Sequence, residues 1–196
     1  SAITQAADLF VDERRQDVQQ RLIKIIDSNA RRIERMVKDV LALGRRDQLL
    51  RELLALDSCV REVVEEMTLN NAQEAVIFEQ VIDPGARLVI DRIHLHQILS
   101  NLLANARRYC SGKPGSIRIF TTRNADGRVA LQVVDDGPGV DGQNVHHLFD
   151  PFFTTDAKGT GLGLYIAREL AEANDAILEF RGNQPGACFV LMGRSE

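Results

Sequence analysis

Cysteine is scarce and wrongly spaced for a scaffold. Cys59, Cys110 and Cys188 are odd in number, far apart and never in a C-x-x-C pair, which argues against a disulfide framework and a structural zinc site. A reducing compartment fits. No uninterrupted apolar run approaches the roughly 18 residues that a bilayer span requires, and no basic-then-apolar leader opens the chain. This stretch is therefore expected to be cytoplasmic, with room for a longer parent anchored in the inner membrane. Excess positive charge is missing too: 24 Lys and Arg face 28 Asp and Glu, a poor electrostatic start for nucleic-acid binding. No nucleic acid is expected as a partner.

What is present divides unevenly. Residues 1–56 carry 11 basic and 9 acidic side chains, the remainder 13 and 19, so two parts of different character are expected, with the boundary near residue 50. In the first part Val18, Leu22, Ile25, Ile33, Met36, Val40 and Leu43, with Asn29 in the open slot, recur at steps of three and four. That is a helical seam of nearly heptad spacing, and no Pro or Gly interrupts it before Gly44. A helix of this length is roughly 40 Å long at about 1.5 Å per residue. Its only apolar-patterned companion is the short stretch 3–11. The spacing predicts a helical pair with a second copy; the competing arrangement lays the helix on its own domain.

From Arg51 onward helices and strands alternate. The pattern predicts a helix over 57–69, strands over 75–82 and 87–90 split by Asp83-Pro84-Gly85, and a helix from an Asp91 N-cap to about Tyr109. A hairpin follows, 116–122 and 128–134 around Asp126-Gly127. A glycine-rich stretch leads to a helix over 162–173 and two closing strands, 177–181 and 187–192. The expected fold class is α+β: a two-layer α/β sandwich, a mixed sheet covered by helices, preceded by a long helical dimerisation segment.

Four local patterns carry chemistry. Six of the 14 glycines, at 137, 139, 142, 159, 161 and 163, fall within 27 residues, and loops of that kind let backbone N–H groups approach an anion at a helix start. The run Gly159-Thr160-Gly161-Leu162-Gly163-Leu164 lacks the Lys-Ser/Thr of a P-loop and the spacing of a Rossmann turn; alone it is either a phosphate cradle or a tight loop. On the helix after Asp91, Gln97, Asn101, Asn105 and Arg108 line one edge of an apolar arc of Leu95, Ile98, Leu99, Leu102, Leu103 and Ala106. Two amides there are either solvated or bound to a ligand, and an amide oxygen suits Mg²⁺. Asp135 ends a strand where Asp136-Gly137-Pro138-Gly139 turns, fit either for an exocyclic amine or for a plain acidic turn. Phe149, Phe152 and Phe153 either pack a loop onto the body or wall a pocket.

Together and in this order, the four resemble the ATP-binding domain of sensor histidine kinases of two-component systems, in the superfamily shared with gyrase, Hsp90 and MutL. The boxes read Asn101-Leu102-Leu103-Ala104-Asn105-Ala106-Arg107-Arg108-Tyr109, Asp135-Asp136-Gly137-Pro138-Gly139, Phe149-Asp150-Pro151-Phe152-Phe153 and Gly159-Thr160-Gly161-Leu162-Gly163-Leu164. The match covers about residues 57–196, and the helix before it resembles the second half of a dimerisation and phosphotransfer hairpin. The resemblance implies residues 1–50 as that truncated helical segment and 51–196 as the catalytic domain. It further implies ATP and Mg²⁺, with Asn105 on the metal, Asn101 among the nucleotide-binding residues, Arg108 at phosphate, Tyr109 beside adenine and Asp135 accepting from the adenine amine. Gly137 and Gly139 would shape the pocket. Residues 149–158, with Lys158, would form a lid, and Gly159, Thr160, Gly161, Leu162, Gly163 and Leu164 would wrap the phosphates.

The implied activity is transfer of the γ-phosphoryl group of ATP to a histidine for relay to a response regulator receiver domain, by a homodimer joined through the N-terminal helices. The superfamily's hydrolases place a Glu base four residues before the metal-binding Asn; here that residue is Asn101, which favours a side-chain acceptor over water. There are departures. The histidines are His94, His96, His146 and His147, none in an acceptor setting, so the acceptor is expected just before Ser1 and this stretch alone should not autophosphorylate. The usual His-Gly-Gly is Asn174-Asp175-Ala176, and the usual last-strand Thr is Cys188, a change expected to weaken an adenine contact. These features favour a subfamily like the nitrogen-regulation or type IV pilus sensors. The alternatives are a non-catalytic ATP-responsive dimerisation module and a serine kinase or anti-sigma factor.

Overall fold

Helix α1, Gln16–Gly44, follows the seam read from the sequence. The computed structural model describes residues 16–44, 49–69, 71–123, 128–156 and 159–195; the expected short helix over 3–11, the Asp126-Gly127 turn and Lys158 lie outside them. Along α1, Leu22 is buried and Ile25 and Asn29 are half-buried, while Ile23, Ile33 and Val37 stand about half exposed. The helix touches α4 (Gly163–Ala173) of its own chain, so the Leu22 end of the seam is met within the chain and Ile33 is left open. No helix among the described residues is long and apolar enough to cross a membrane.

After α1 come strand β1 (Arg51–Ala55), helix α2 (Leu56–Thr68), a 3₁₀ turn (Ala72–Ile77), β2 (Phe78–Val81), β3 (Arg87–Asp91) and helix α3 (Arg92–Tyr109). The hairpin β4 (Ile117–Arg123) and β5 (Val129–Asp135) follows, then α4, β6 (Ile177–Asn183) and β7 (Ala187–Met192). Five strands form a mixed sheet in the order β2-β4-β5-β7-β6, parallel only between β2 and β4. β1 and β3 make a separate antiparallel pair.

One strand, Arg51–Ala55, has no counterpart among the expected elements, and one expected strand changes. Arg-Glu-Leu-Leu-Ala has helical composition, yet residues 51–55 extend because Arg51 to Ala55 pair with Asp91 to Arg87; tertiary pairing outweighs a weak propensity. Of the strand expected over 75–82, the first part coils as the 3₁₀ turn. The two segments around Asp83-Pro84-Gly85 then enter different sheets, although the turn itself forms, with Ala86 N–H donating to the Asp83 carbonyl at 2.8 Å.

The core lies between one sheet face and the helices. Leu95, Ile98, Leu99, Leu102, Leu103 and Ala106 of α3 are all at most 3% exposed, against Ile166, Ala167 and Leu170 of α4 and Ile117, Ile119, Leu131, Val133 and Leu191 of the sheet. Each fully buried Leu or Ile contributes about 1.5–3 kcal/mol, so this arc fixes the rotation of α3 and hence where its polar edge points. Asp91 caps the helix as expected: its Oδ1 accepts from the N–H groups of Ile93 (2.9 Å) and His94 (3.1 Å). The other sheet face carries a smaller cluster, Ala130, Val134, Cys188 and Val190 under Phe120 and Met192.

A candidate nucleotide site at the polar edge of α3

The carboxylate of Asp135 is held in a way that leaves one oxygen open. At 4% exposed, it ends β5, with its side chain on the helix-facing side beside Val133. Oδ1 accepts from Gly137 N–H at 2.9 Å and from Ala187 N–H at 3.2 Å, whereas Oδ2 accepts nothing from the described residues. Burial pushes this carboxyl above the ordinary range, against the pull of those two N–H groups. The backbone of the same residue takes Gly186 N–H on its carbonyl at 3.0 Å. A Cβ on Gly186 would run into Asp135 Oδ1, so glycine is what lets the β6–β7 hairpin approach this closely.

The first glycine loop then lies on the C-terminal end of α3. A Cβ on Gly137 would stand 2.5 Å from the Tyr109 carbonyl oxygen. Next to it Asp136 accepts Ser111 Oγ–H at 2.6 Å and Ser111 N–H at 2.8 Å, which hold its carboxyl below the usual range. Gly139 takes φ 74°, the left-handed region that suits glycine. Tyr109 is partly exposed beside this loop.

Further back along α3 the edge meets the second glycine loop. A Cβ on Gly163 would lie 3.7 Å from Asn101 Cγ and Oδ1, and one on Gly159 would lie 3.2 Å from Arg108 Nη1. Asn101 Oδ1 accepts from Gln97 Nε2 at 3.4 Å, but its Nδ2 is buried with no hydrogen-bond partner. A buried unpaired donor is costly; an anionic oxygen from outside would satisfy it. The side chain of Asn105, half-buried between Asn101 and Arg108 in sequence, makes no hydrogen bond with the described residues. Arg108 Nη1 pairs with Asp156 Oδ2 at 3.1 Å. The first residues of α4 have no side-chain cap, so free N–H groups and the positive helix end face the same loop.

The other residues expected at the site divide by role. Thr160 Oγ1 accepts from Leu162 N–H at 3.3 Å, and Gly161, at φ 71°, accepts on its carbonyl from Phe152 N–H at 2.9 Å. The side chain of Leu162 turns into the core and that of Leu164, half-buried, packs against it. Phe149 packs edge-on to Phe189 with ring centroids 6.3 Å apart and under the Arg168 guanidinium, while Phe152 is 68% exposed at φ 67°. One phenylalanine anchors the segment; the other points away.

Three features depart from the sequence pattern or escape it. Cys188 faces the outer sheet cluster, its thiol toward Gln132 Oε1 at 3.9 Å; strand alternation puts Ala187 and Phe189 on the inner side, so Cys188 cannot alter an adenine contact there. Asn174-Asp175-Ala176 still turns, because Asp175 adopts φ 55°, which short polar side chains tolerate. Asn174 is 2% exposed: its Oδ1 accepts Asp91 N–H at 2.9 Å, and its Nδ2 donates to the Leu170 carbonyl at 2.7 Å and to His94 Nδ1 at 2.9 Å. A buried polar knot thus joins α3, α4 and the start of β1, since Leu50 N–H reaches Asp91 Oδ2 at 2.9 Å.

An adenine nucleotide with Mg²⁺ fits these groups: an open carboxylate oxygen at one end, an orphaned amide donor and a guanidinium at the other, and glycines where a Cβ would fill the cradle. Among the described residues no group of three or more His, Cys, Asp and Glu could hold a metal ion. A cleft of about 520 Å³, lined by Arg128, Asp175, Ile177 and Met192 among others, opens at the opposite end of β5 and contains none of this chemistry.

Comparison with known proteins shows the family and the fold. Residues 90–192 match the family model described as histidine kinase-, DNA gyrase B- and HSP90-like ATPase. The chain is 35% identical over 193 residues to the sensor protein kinase PilS of Pseudomonas aeruginosa, covering 96% of this chain and 36% of that protein. It is 32% identical over 154 residues to the signal transduction histidine-protein kinase AtoS of Escherichia coli, covering 78% and 24%. The chain thus spans about a third of the length of the curated relatives it matches over most of its length. Among solved structures, the Acinetobacter baumannii histidine kinase AdeS superposes with a TM-score of 0.73 at 19% identity, over 99% of this chain and 93% of that one. Full-length ShkA in complex with AMPPNP superposes at 0.71 and 22% identity, over 98% and 46%; at these identities both show the fold.

Proposed function

The chain belongs to the histidine kinase-, DNA gyrase B- and HSP90-like ATPase family, with sensor histidine kinases of two-component systems among its relatives, and on that footing we propose that it binds ATP·Mg²⁺ along the edge of α3 and donates the γ-phosphoryl group to a histidine. Asp135 Oδ2 accepts the adenine amine while Gly137 and Ala187 hold Oδ1. Gly137 and Gly139 shape the pocket beside Tyr109. Asn101 and Arg108, with the backbone from Gly159 to Leu164, neutralise and orient the phosphates, and Asn105 holds Mg²⁺ through its carbonyl oxygen. The ion, when bound, offsets negative charge on the phosphoryl group in transfer.

No carboxylate stands at Asn101, so nothing on this edge is built to activate water, and the chemistry is positioning and charge neutralisation. The acceptor is not one of this chain's histidines. His94 is buried against Asn174, His96 bonds Glu66 and His147 bonds Asp150, and His146 is exposed in the short turn Val145–His147. In this reading residues 1–50 belong to a dimerisation and phosphotransfer segment and 51–196 to the catalytic domain. The parent works as a cytoplasmic-facing homodimer and passes phosphate to a receiver domain.

Two observations carry the proposal: the open Oδ2 of Asp135, whose glycine loop lies against Tyr109 at the end of α3, and the unpaired Nδ2 of Asn101 on the same helix. Calorimetry with ADP·Mg²⁺ and GDP·Mg²⁺ tests it. Binding of the adenine nucleotide alone, lost on Asp135→Asn, is expected; equal binding of both, or none, contradicts it.

A further inference from the structure

We propose that Asn183 is a positioning residue for the base end of the nucleotide site, acting through the first glycine loop; the role rests on the adenine-nucleotide reading above. Asn183 closes β6, just after the β6–β7 register shifts between Phe180 and Asn183, and stands opposite Ala187. Its carboxamide grips one residue of the loop with both of its ends. Oδ1 accepts Val140 N–H at 2.9 Å, and Nδ2 donates to the Val140 carbonyl at 3.0 Å. A side chain here makes the pair of bonds that a neighbouring strand would otherwise make.

The contact is also steric. A Cβ on Gly139 would collide with the Asn183 carboxamide, so the loop lies directly on it. The same hairpin holds the other end of the loop, through Gly186 N–H on the Asp135 carbonyl and Ala187 N–H on Asp135 Oδ1. Residues 135–140 are therefore held at both ends by one hairpin. Between those ends lie Gly137 and Gly139, the two residues with most conformational freedom to lose. If the Val140 end is released, the loop samples other shapes and Gly137, which orients Asp135 Oδ1, loses its fixed place. Asn183 is exposed and outside the core cluster, so its removal should cost binding without unfolding the chain.

The test is titration of AMP, ADP and a non-hydrolysable ATP analogue into the whole chain, with thermal unfolding of the unliganded protein measured alongside. Asn183→Ala should weaken all three nucleotides by a common factor of about tenfold, the worth of one or two hydrogen bonds, because the loop acts at the base and not at the phosphates. Its unfolding temperature should fall by no more than about 5 °C, so the chain stays folded during the titration. Asn183→Asp keeps the shape but turns an acceptor toward the Val140 carbonyl, and should weaken binding at least as much as alanine; if Asn183 merely filled space, the aspartate would bind normally. Unchanged affinity in Asn183→Ala overturns the role, as does a loss that grows with phosphate number. A parent chain that binds none of the three removes the functional reading, and this role falls with it.

Discussion

Arg108 Nη1 lies 3.1 Å from Asp156 Oδ2, across the start of the second glycine loop. The guanidinium expected to meet phosphate thus already faces a carboxylate from the segment expected to be the lid. A triphosphate must share or displace that partner. Both side chains are about a third exposed, so the pair is worth no more than about 1 kcal/mol. Asp156→Asn is therefore expected to tighten the ATP analogue about three- to fivefold at low salt. The gain should shrink as ionic strength rises. Looser binding in that variant would mean that Asp156 serves the nucleotide rather than competing with it.

Asp135 should show a conflict between stability and binding. Its folded carboxyl titrates above the ordinary value, chiefly because it is buried, so the folded state holds the proton more tightly than the unfolded chain does. Stability then declines as pH rises from the ordinary carboxylate pKa of about 3.9 through the raised folded value. At neutral pH the ionised group works against folding. Asp135→Asn keeps an oxygen for Gly137 and Ala187, and its urea midpoint at pH 7 should lie above the parent's while adenine binding is lost. A lower midpoint would show that the charge itself stabilises the unliganded fold.

His94 gives the opposite slope. Burial lowers its pKa, against the opposing pull of Asp91, and its Nδ1 accepts from Asn174, which requires the neutral ring. On acidification the unfolded chain takes the proton first, so this contribution is complete above about pH 6.5 and is lost as pH falls below it. Asp91 does not confuse the window. Burial raises its carboxyl, but the N–H groups of Leu50, His94 and Ile93, with the His94 charge, outweigh that and leave it below the ordinary carboxylate value. The unfolding temperature should therefore drop between pH 7.5 and 5.5 in the parent and drop less in His94→Gln. Equal slopes would remove His94 from the account.

Gly186→Ala probes the hairpin's approach to Asp135. The new methyl would collide with the carboxylate and carbonyl of Asp135, so the strands must part. Overpacking of this kind costs about 1–3 kcal/mol, and nucleotide affinity should fall at least tenfold as Asp135 moves. Normal affinity by calorimetry would mean that the hairpin adjusts without disturbing the site.

Much of this site is legible in local pattern. The apolar arc of α3 fixes its rotation, so the line from Asn101 to Arg108 follows from helical periodicity alone, and glycines mark where backbone must come close. What escapes is long-range. Asn183 clamps a loop 43 residues away, and Asn174 reaches Asp91 across 83; nothing in either local sequence announces a partner. The side of the sheet that Cys188 takes is hidden because Ala187-Cys188-Phe189-Val190-Leu191 is apolar throughout and shows no phase. Only pairing with β5 and β6 decides which residues face the helices. The strand over 51–55 is equally hidden, since its residues favour a helix until β3 is beside them.

Whether Asp135 receives the amine of the same nucleotide whose phosphates meet Asn101, Asn105 and Arg108 can be read from a cycle of two changes. One removes the 6-amino group from the ATP analogue, the other is Asp135→Asn, and the dissociation constants of all four combinations are measured. Each change alone should weaken binding, and the two together should cost little more than either, because both delete one contact. Fully additive losses, or an analogue without the amine that binds the parent chain as well as the complete nucleotide, would contradict that shared contact.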